Sequence, residues 1–173
     1  GVALLLEMAR IITEKNYRGR IIFIFHDMED GGVVGKEEHW CIGARRFANK
    51  KLDEFPVTAG INFDMIGDRD LMIKPEIYMQ NRAPEMTKDF FRMAARKDPF
   101  HFSEENVGFR ILDDHLPFLR KGIPYINLID FQYEYWHTHD DVPENCSPIS
   151  LRIVGNIGLN YIFERYENLK NYP

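Results

Sequence analysis

Residues 20–30 read Arg-Ile-Ile-Phe-Ile-Phe-His-Asp-Met-Glu-Asp, and this stretch decides the fold class. Its apolar run at 21–25 has the length of a strand and no polar alternation, a pattern typical of a strand buried on both faces of its sheet. Polar and acidic side chains follow as soon as the apolar run ends. We therefore predict a buried strand at 20–25 with a functional loop at its carboxyl end, where open α/β sheets bind their ligands.

Outward from this stretch, helix and strand patterns alternate along the chain. The first helix begins directly at residue 2, and Leu5, Met8 and Ile12 repeat on one of its faces. Further helices are predicted at about 37–49, 84–97, 115–120 and from Pro148 onward, and further strands at 57–65, 71–79, 109–112 and 125–129. This alternation predicts a single domain over residues 1–173, a three-layer αβα sandwich around a mixed, mostly parallel sheet.

Composition and charge exclude two classes of partner. The 173 residues carry 22 Lys and Arg against 27 Asp and Glu, so no basic surface is predicted for nucleic acid. No apolar run approaches the roughly 20 residues that span a bilayer. Cys41 and Cys146 stand far apart outside any Cys-x-x-Cys motif, so neither a thiolate metal site nor a disulfide is expected. The chain opens inside a helix without a cap or linker, and we expect an amino-terminal part of the domain to be missing.

Two further predicted strands also end in polar residues. The strand at 57–65 closes on Asp64, and the strand at 125–129 leads to His137. Carboxyl ends of parallel strands meet at one edge of a sheet, so these residues are expected beside residues 29–30. For any single loop, the alternative is that its carboxylate caps the next helix or meets solvent. Three such loops together favour a shared site.

The residue types at this edge suit a metal centre. Of the adjacent Glu29 and Asp30, one carboxylate can bind a metal while the other stays free as a general base. His137 offers an imidazole of the kind zinc favours, although a lone histidine is more often structural. Asp64 is a candidate ligand or a polar group beside the ligands, because a carboxylate is costly to bury unpaired. A carboxylate-only magnesium site is the alternative, and the histidine argues against it.

Asp113-Asp114-His115 and Trp136 complete the candidate set. Either aspartate can cap the helix that follows, or the two can form a proton relay in which one carboxylate raises the pKa of the other. Trp136 adjoins His137 and is the better candidate for the wall of a substrate pocket. The remaining histidines at the strand ends and loops, His26, His39 and His101, are assigned to structure or surface.

Taken in order, these residues resemble the zinc aminopeptidase and glutaminyl-peptide cyclotransferase superfamily over essentially the whole chain. Any one matching segment is weak, but five in the family's order are specific. They are the opening Gly-Val-Ala-Leu-Leu-Leu-Glu-Met-Ala-Arg helix, Asp27-Met28-Glu29-Asp30-Gly31, Asn62-Phe63-Asp64-Met65-Ile66-Gly67, Asp113-Asp114-His115-Leu116-Pro117-Phe118 with Gly122-Ile123-Pro124, and Trp136-His137-Thr138 with Asp141.

The resemblance implies a role for each candidate. Glu29 would be the general acid/base, and Asp30 and His137 would be zinc ligands. Asp64 would bind a second zinc in the aminopeptidases but act as a polar active-site residue in the one-zinc cyclases. Asp113 would form a hydrogen bond within the site, and the tryptophan before the ligand histidine would flank the pocket.

Two chemistries compete within that superfamily. An aminopeptidase, with two zinc ions, hydrolyses the first peptide bond, whereas a cyclotransferase, with one, converts an amino-terminal glutamine to pyroglutamate and releases ammonia. Three features lean toward the cyclase branch: the Asp-Asp-His run at 113–115, Trp before His137, and Glu-Asp at 29–30. Asn127 stands where animal cyclases carry a histidine, so the resemblance favours a bacterial-type relative.

One departure concerns the metal. The family carries a first histidine and an aspartate ligand just before the helix that opens this chain, so the remaining zinc ligands are expected upstream of Gly1. Because zinc sites use at least three protein ligands, we expect residues 1–173 to bind zinc poorly by themselves. The resemblance implies peptide or protein amino termini as substrates and a secreted or periplasmic location. An inactive binding module on the same fold is the alternative from another class.

Overall fold

The computed structural model describes residues 1–170, and the side chains of residues 1–165. This part of the chain contains both helices and strands, with three helices between the two strands. The helices are α1 (Val2–Glu14), α2 (Ile42–Lys50), α3 (Ile77–Arg82), α4 (Pro84–Lys97), α5 (Leu116–Arg120) and α6 (Pro148–Lys170), the strands are β1 (Gly60–Asp64) and β2 (Tyr125–Ile129), and short 3₁₀ turns cover Glu37–His39 and Pro143–Asn145.

The sheet is parallel, with β1 paired to β2 from Gly60 opposite Tyr125 to Asp64 opposite Ile129. Every residue of β2 is buried, and α3, α4 and α5 all contact this strand. Helix α1 packs on α6, which also contacts α4. The predicted α/β class with a parallel sheet is confirmed. Within residues 1–170 the sheet has these two strands alone, so the antiparallel member of a mixed sheet is not among them.

The predicted strand at 20–25 does not form. Residues 21–24 are half-buried and Arg20 and Phe25 are exposed, and none of these residues pairs with another strand within residues 1–170. A strand exists only with a hydrogen-bonding neighbour, and across from this segment lies a cavity instead of a chain. The apolar pattern therefore overstated the burial of this segment and predicted its pairing wrongly.

The predicted strands at 71–79 and 109–112 are also wrong, and one buried carboxylate explains both. Glu76 is fully buried and accepts hydrogen bonds from the amides of Tyr78 and Met79, which starts α3 in the middle of the predicted strand. The same carboxylate accepts from the amide of Ile111, at 3.3 Å. Of the first segment, Ile73 alone makes a single bridge, to Phe102.

The predicted helix at 37–49 is interrupted. A 3₁₀ turn covers its first residues, and α2 begins only at Ile42 because Cys41 has a left-handed backbone, with φ of 53°. The break turns α2 so that its first amides meet the loop that follows residues 20–25. The interruption therefore allows α2 to bind the loop that carries Glu29 and Asp30.

Phe90 anchors the apolar core between α4 and α6. Its side chain is fully buried, with ring centroids 5.4 Å from Phe91 and 5.0 Å from Tyr161. We expect Phe90→Ala to lower the free energy of unfolding by about 3–5 kcal/mol, because burial is lost and a cavity remains. Phe100→Ala is the matched control, since that ring is 81% exposed. Urea unfolding of both variants measures the difference, and equal losses would contradict the placement of Phe90.

Candidate active site

The backbone around Glu29 is fixed by the start of α2. The amides of Cys41, Ile42 and Gly43 donate to the carbonyls of residues 29, 28 and 27 at 2.9, 3.1 and 3.1 Å. The approach is so close that a Cβ at Gly43 would lie 2.7 Å from the Asp27 carbonyl oxygen. Three helix amides that would otherwise lack partners thus hold the loop that carries Glu29 and Asp30.

Three residues with left-handed backbone accompany the candidate residues. Met28 (φ 51°) precedes Glu29, Met65 (φ 45°) follows Asp64, and His137 itself has φ of 59°. Such values are uncommon outside glycine and persist only where surrounding structure imposes them. Their occurrence beside candidate residues of three different segments is typical of functional sites, where such backbone conformations cluster.

His137 and Asp30 meet at this point. The imidazole Nε2 of His137 lies 2.8 Å from Oδ2 of Asp30, and both side chains are half exposed. The ring of Trp136 lies 4.3 Å from the imidazole, centroid to centroid, and 4.9 Å from Phe131. The imidazole nitrogen and the carboxylate oxygen thus lie side by side, open to solvent on one side and flanked by aromatic rings on the other. Such a pair can bind a metal ion and leave room for a ligand.

The donor types fit zinc, but the set is partial. Among the side chains that the structure describes, no three His, Cys, Asp or Glu residues lie close enough together to hold a metal ion. Asp64 is the predicted addition to the Asp30–His137 pair, and the charge of Asp30 contributes to the raised pKa of Asp64. Zinc sites in proteins use three or four nitrogen, oxygen or sulfur ligands, so this chain offers two donors that meet and a third nearby.

Asp113 is the hydrogen-bonding hub of the site. Its Oδ2 accepts from the side-chain amides of Asn62 at 3.0 Å and Asn127 at 2.8 Å, and its Oδ1 accepts from the amide of Asp114 at 2.5 Å. Asn62 and Asn127 face each other in register across β1 and β2. Helix α5 has no side-chain cap, so neither aspartate plays the capping role left open above. The two asparagines were not among the predicted site residues.

The carboxylates of the site raise one another's pKa values. Burial, followed by the charges of Asp113 and Asp64, raises the pKa of Glu29 to about 8. Burial and Asp113 raise the pKa of Asp114 to about 7, and that of Asp64 to about 6. A carboxyl group that holds its proton near neutrality can both accept and donate it during turnover, which is what a proton carrier requires.

These shifts predict a pH dependence of stability in the metal-free protein. The folded pKa of Glu29 lies above its ordinary value of 4.5, so the folded state keeps a proton that the unfolded state has released. The free energy of unfolding should therefore fall as pH rises from about 4.5 to about 8. Urea unfolding with a chelator present measures this slope. Glu29→Gln should flatten this slope, whereas Glu38→Gln, at a side chain that is 71% exposed, should not. Parallel pH profiles for the unsubstituted protein and both variants would contradict the assignment.

The other candidate residues have structural surroundings. His26 packs against the rings of Phe47 and Phe118, and burial lowers its pKa. His101 contacts the carboxylate of Asp98 at 2.9 Å, and His39 is exposed. Cys41 and Cys146 are free thiols. The thiol of Cys41 acts on the site in a way that the sequence did not indicate, because it partly offsets the rise in the pKa of Asp114.

A comparison with models of known families matches residues 1–162 to peptidase family M28. The chain belongs to this family. Bovine (Bos taurus) glutaminyl-peptide cyclotransferase is 25% identical over 94% of the M28 chain and 54% of its own length. Glutaminyl cyclase from Porphyromonas gingivalis superposes with a TM-score of 0.82 at 27% identity, covering 95% of this chain and 61% of that one. A leucine aminopeptidase precursor from Bacteroides thetaiotaomicron gives 0.84 at 30% identity, covering 91% and 58%.

Two consequences follow from these likenesses. The predicted resemblance to zinc aminopeptidases and glutaminyl cyclases is confirmed at the level of family and fold. The M28 chain also spans only about half the length of the bovine relative, at 54%. Its relatives are therefore enzymes that modify or cleave peptides. The reaction that the complete protein catalyses is proposed in the next section.

Proposed function

We propose that this chain is part of a zinc-dependent glutaminyl-peptide cyclotransferase, with residues 1–173 forming part of one catalytic domain. The observation that carries the proposal is the convergence of Glu29 with the Asp30–His137 pair at one edge of the sheet. Trp136 beside the pair and the Asp113–Asp114 hub support the cyclase branch, since both are features of the cyclase-like motifs. Similarity to the bovine and bacterial cyclases adds weight.

In this proposal the chain's residues divide the work of ring closure. Asp30 and His137 would hold zinc, with Asp64 beside them, and zinc bound there would supply the Lewis acid for the side-chain carbonyl of an amino-terminal glutamine. Glu29 takes a proton from the α-amino group as its nitrogen forms a bond to that carbonyl carbon. Glu29 then gives the proton to the departing amide nitrogen, so that ammonia leaves and the peptide keeps pyroglutamate at its amino terminus. Trp136 forms one wall against the substrate side chain.

An aminopeptidase is the second candidate, favoured by the likeness to the leucine aminopeptidase precursor and by the closeness of Asp64 to Asp30. Asp64 would then bind a second zinc, and Glu29 would take its proton from the attacking water. A binding module without turnover is the third candidate.

A secreted or periplasmic location belongs to the proposal as well. No helix in the described part of the chain is long and apolar enough to cross a membrane.

The three candidates separate in one experiment on the complete protein. A glutamine-initiated peptide and an N-terminal leucine amide are offered, and ammonia and free amino acid are measured with and without zinc. We expect zinc-dependent ammonia release from the first and no release of leucine from the second. Release of leucine without pyroglutamate would establish the aminopeptidase instead, and zinc-loaded protein without turnover of either substrate would favour the binding module.

A further inference from the structure

Glu76 and His115 form a fully buried polar pair that has no part in the reaction proposed above. Both side chains are 0% exposed, and Nε2 of His115 lies 3.3 Å from Oε1 of Glu76. A carboxylate is costly to bury unless hydrogen bonds satisfy it. The partners that satisfy this one therefore indicate what its burial achieves.

The Glu76 carboxylate has four partners, two on each oxygen. Oε1 accepts from the amide of Met79 at 2.5 Å and faces the imidazole of His115, which donates in the tautomer that carries hydrogen on Nε2. Oε2 accepts from the amides of Tyr78 at 2.6 Å and Ile111 at 3.3 Å. A carboxylate offers about four acceptor sites and no donor, so these partners use its whole capacity.

Two of the four partners flank Asp113, the hydrogen-bonding hub of the site. Ile111 lies two residues before Asp113 and His115 lies two residues after it, so one buried carboxylate holds both ends of the loop that carries the hub. Residues 111–115 belong to no helix or strand that could fix them otherwise. A loop held at both ends by one rigid group has little freedom to move its middle residue.

The other two partners connect Glu76 to Asn127, which donates to the hub from β2. The amides of Tyr78 and Met79 belong to the first turn of α3 and would otherwise lack partners. With the start of α3 fixed in this way, the sulfur of Met79 accepts from the backbone amide of Asn127. The side chain of Asn127 in turn donates to Oδ2 of Asp113 at 2.8 Å. Glu76 therefore acts on the hub by two routes, one through the loop and one through α3.

The imidazole of His115 has a single polar contact among the described side chains. Its Nε2 faces Glu76, whereas its Nδ1 is buried without a hydrogen-bond partner. A buried polar atom without a partner destabilises the fold, and an apolar side chain of similar size would avoid that cost. The contact to Glu76 is thus the feature of His115 that an apolar residue could not supply.

We propose that Glu76 and His115 are positioning residues, which act on the reaction through Asp113 and do not touch substrate or metal. Asp113 lines the same cavity as Glu29 and Asp64, so a displaced hub changes the surroundings of the proposed proton carrier. The effect on turnover rests on the proposed function, whereas the effect on the hub itself does not. Misplacement of a group in an active site by about 1 Å can cost about 100-fold in rate.

Glu76→Asp separates positioning from capping. Aspartate is a preferred cap, so α3 keeps its start, but the carboxylate is withdrawn by about 1.5 Å, one carbon–carbon bond. It then falls short of Ile111 and His115, whose contacts already measure 3.3 Å. In the complete protein we expect kcat for a glutamine-initiated peptide to fall by about 10–100-fold, with little change in KM. Glu85→Asp, at an exposed residue in the first turn of α4, is the matched control and should leave kcat unchanged.

His115 supplies a second pair of variants. His115→Gln keeps a nitrogen donor near the position of Nε2 and should keep most of the kcat. His115→Leu fills similar space without a donor and should lower kcat as Glu76→Asp does. A general loss of packing would not separate these two variants in this order, so rescue by glutamine isolates the hydrogen bond.

The side-chain amide of Asn127 reports the placement of Asp113 without any need for activity or zinc. With a chelator present, the hydrogens on its Nδ2 should exchange about tenfold faster in Glu76→Asp and His115→Leu than in the unsubstituted protein, the effect of one weakened hydrogen bond. The side-chain amide of Asn145, which donates to the carbonyl of Asp140 at 2.8 Å, is the control within the same spectra.

The proposal is overturned if Glu76→Asp keeps both its kcat and its slow exchange at Asn127, because Glu76 would then be a cap alone. Equal kcat for His115→Gln and His115→Leu would count against it as well, as would a lower kcat without faster exchange at Asn127. If Glu76→Asp fails to fold, the two His115 variants decide. If the complete protein does not turn over the peptide at all, the proposed function fails separately, and exchange at Asn127 alone supports or overturns the positioning role.

Discussion

Glu29→Gln in the complete protein should lower kcat for a glutamine-initiated peptide by about 10²–10⁴-fold, the usual contribution of a positioned acid/base group. The substituted amide keeps the shape of the side chain but can neither take the proton from the α-amino group nor return it to departing ammonia. Substrate contacts remain, so KM should change little. Zinc content should also be unchanged, because in the proposed site Asp30 and His137 bind the metal and Glu29 does not.

The substitution should not harm the fold. The pKa of Glu29 is raised to about 8 by burial and by neighbouring carboxylates, so the site favours a neutral side chain and accommodates the amide. Glu38→Gln is the matched control, an identical change at an exposed side chain of the same segment. A kcat for Glu29→Gln equal to that of the control would remove Glu29 from the mechanism under either chemistry. A loss confined to KM would make it a binding residue.

The strand predictions show where sequence patterns stop being informative. Apolar runs reported burial only in part, since 125–129 is buried throughout whereas 21–24 and most of 57–65 are half-buried. Pairing depends on what lies at the edge of a strand, which the run itself does not encode. For residues 21–25 the neighbouring position is a cavity, so no local pattern could have warned that a partner was absent.

A second kind of error came from a single polar residue. Glu76 falls between Pro75 and an apolar pair, and its carboxylate collects three backbone amides in the interior, from residues 78, 79 and 111. From the sequence alone, Glu76 is expected to point toward solvent from an edge strand. Only the tertiary arrangement shows that it is fully buried and that the chain bends around it.

The residues of the candidate site were easier to predict from the sequence than the residues that hold them in place. Glu29, Asp30, Asp64 and His137 follow apolar runs, and the carboxyl ends of parallel segments meet, so their approach follows from topology. The partners of Asp113 carry no such signal. Asn62 and Asn127 lie 51 and 14 residues from it in sequence, and only the register of β1 with β2 brings their amides to one oxygen.

His137→Asn should weaken zinc binding by the complete protein by more than about 100-fold, because even the loss of a residue that merely orients a ligand costs 10–100-fold. Asparagine is the chosen replacement since the backbone at this position has φ of 59°, a conformation that asparagine tolerates and most residues resist. The effect then reflects the loss of the imidazole rather than strain in the loop. Competition with a chromophoric chelator gives the dissociation constant.

His139→Asn is the control for this prediction, the same change two residues along on an exposed side chain. It should leave the zinc affinity unchanged. Asp30→Asn should resemble His137→Asn, because the two side chains meet at 2.8 Å and would share one ion. Were His137→Asn to bind zinc as tightly as His139→Asn does, the 2.8 Å contact would be an ordinary ion pair, and the metal of this family would have to be held elsewhere in the complete protein.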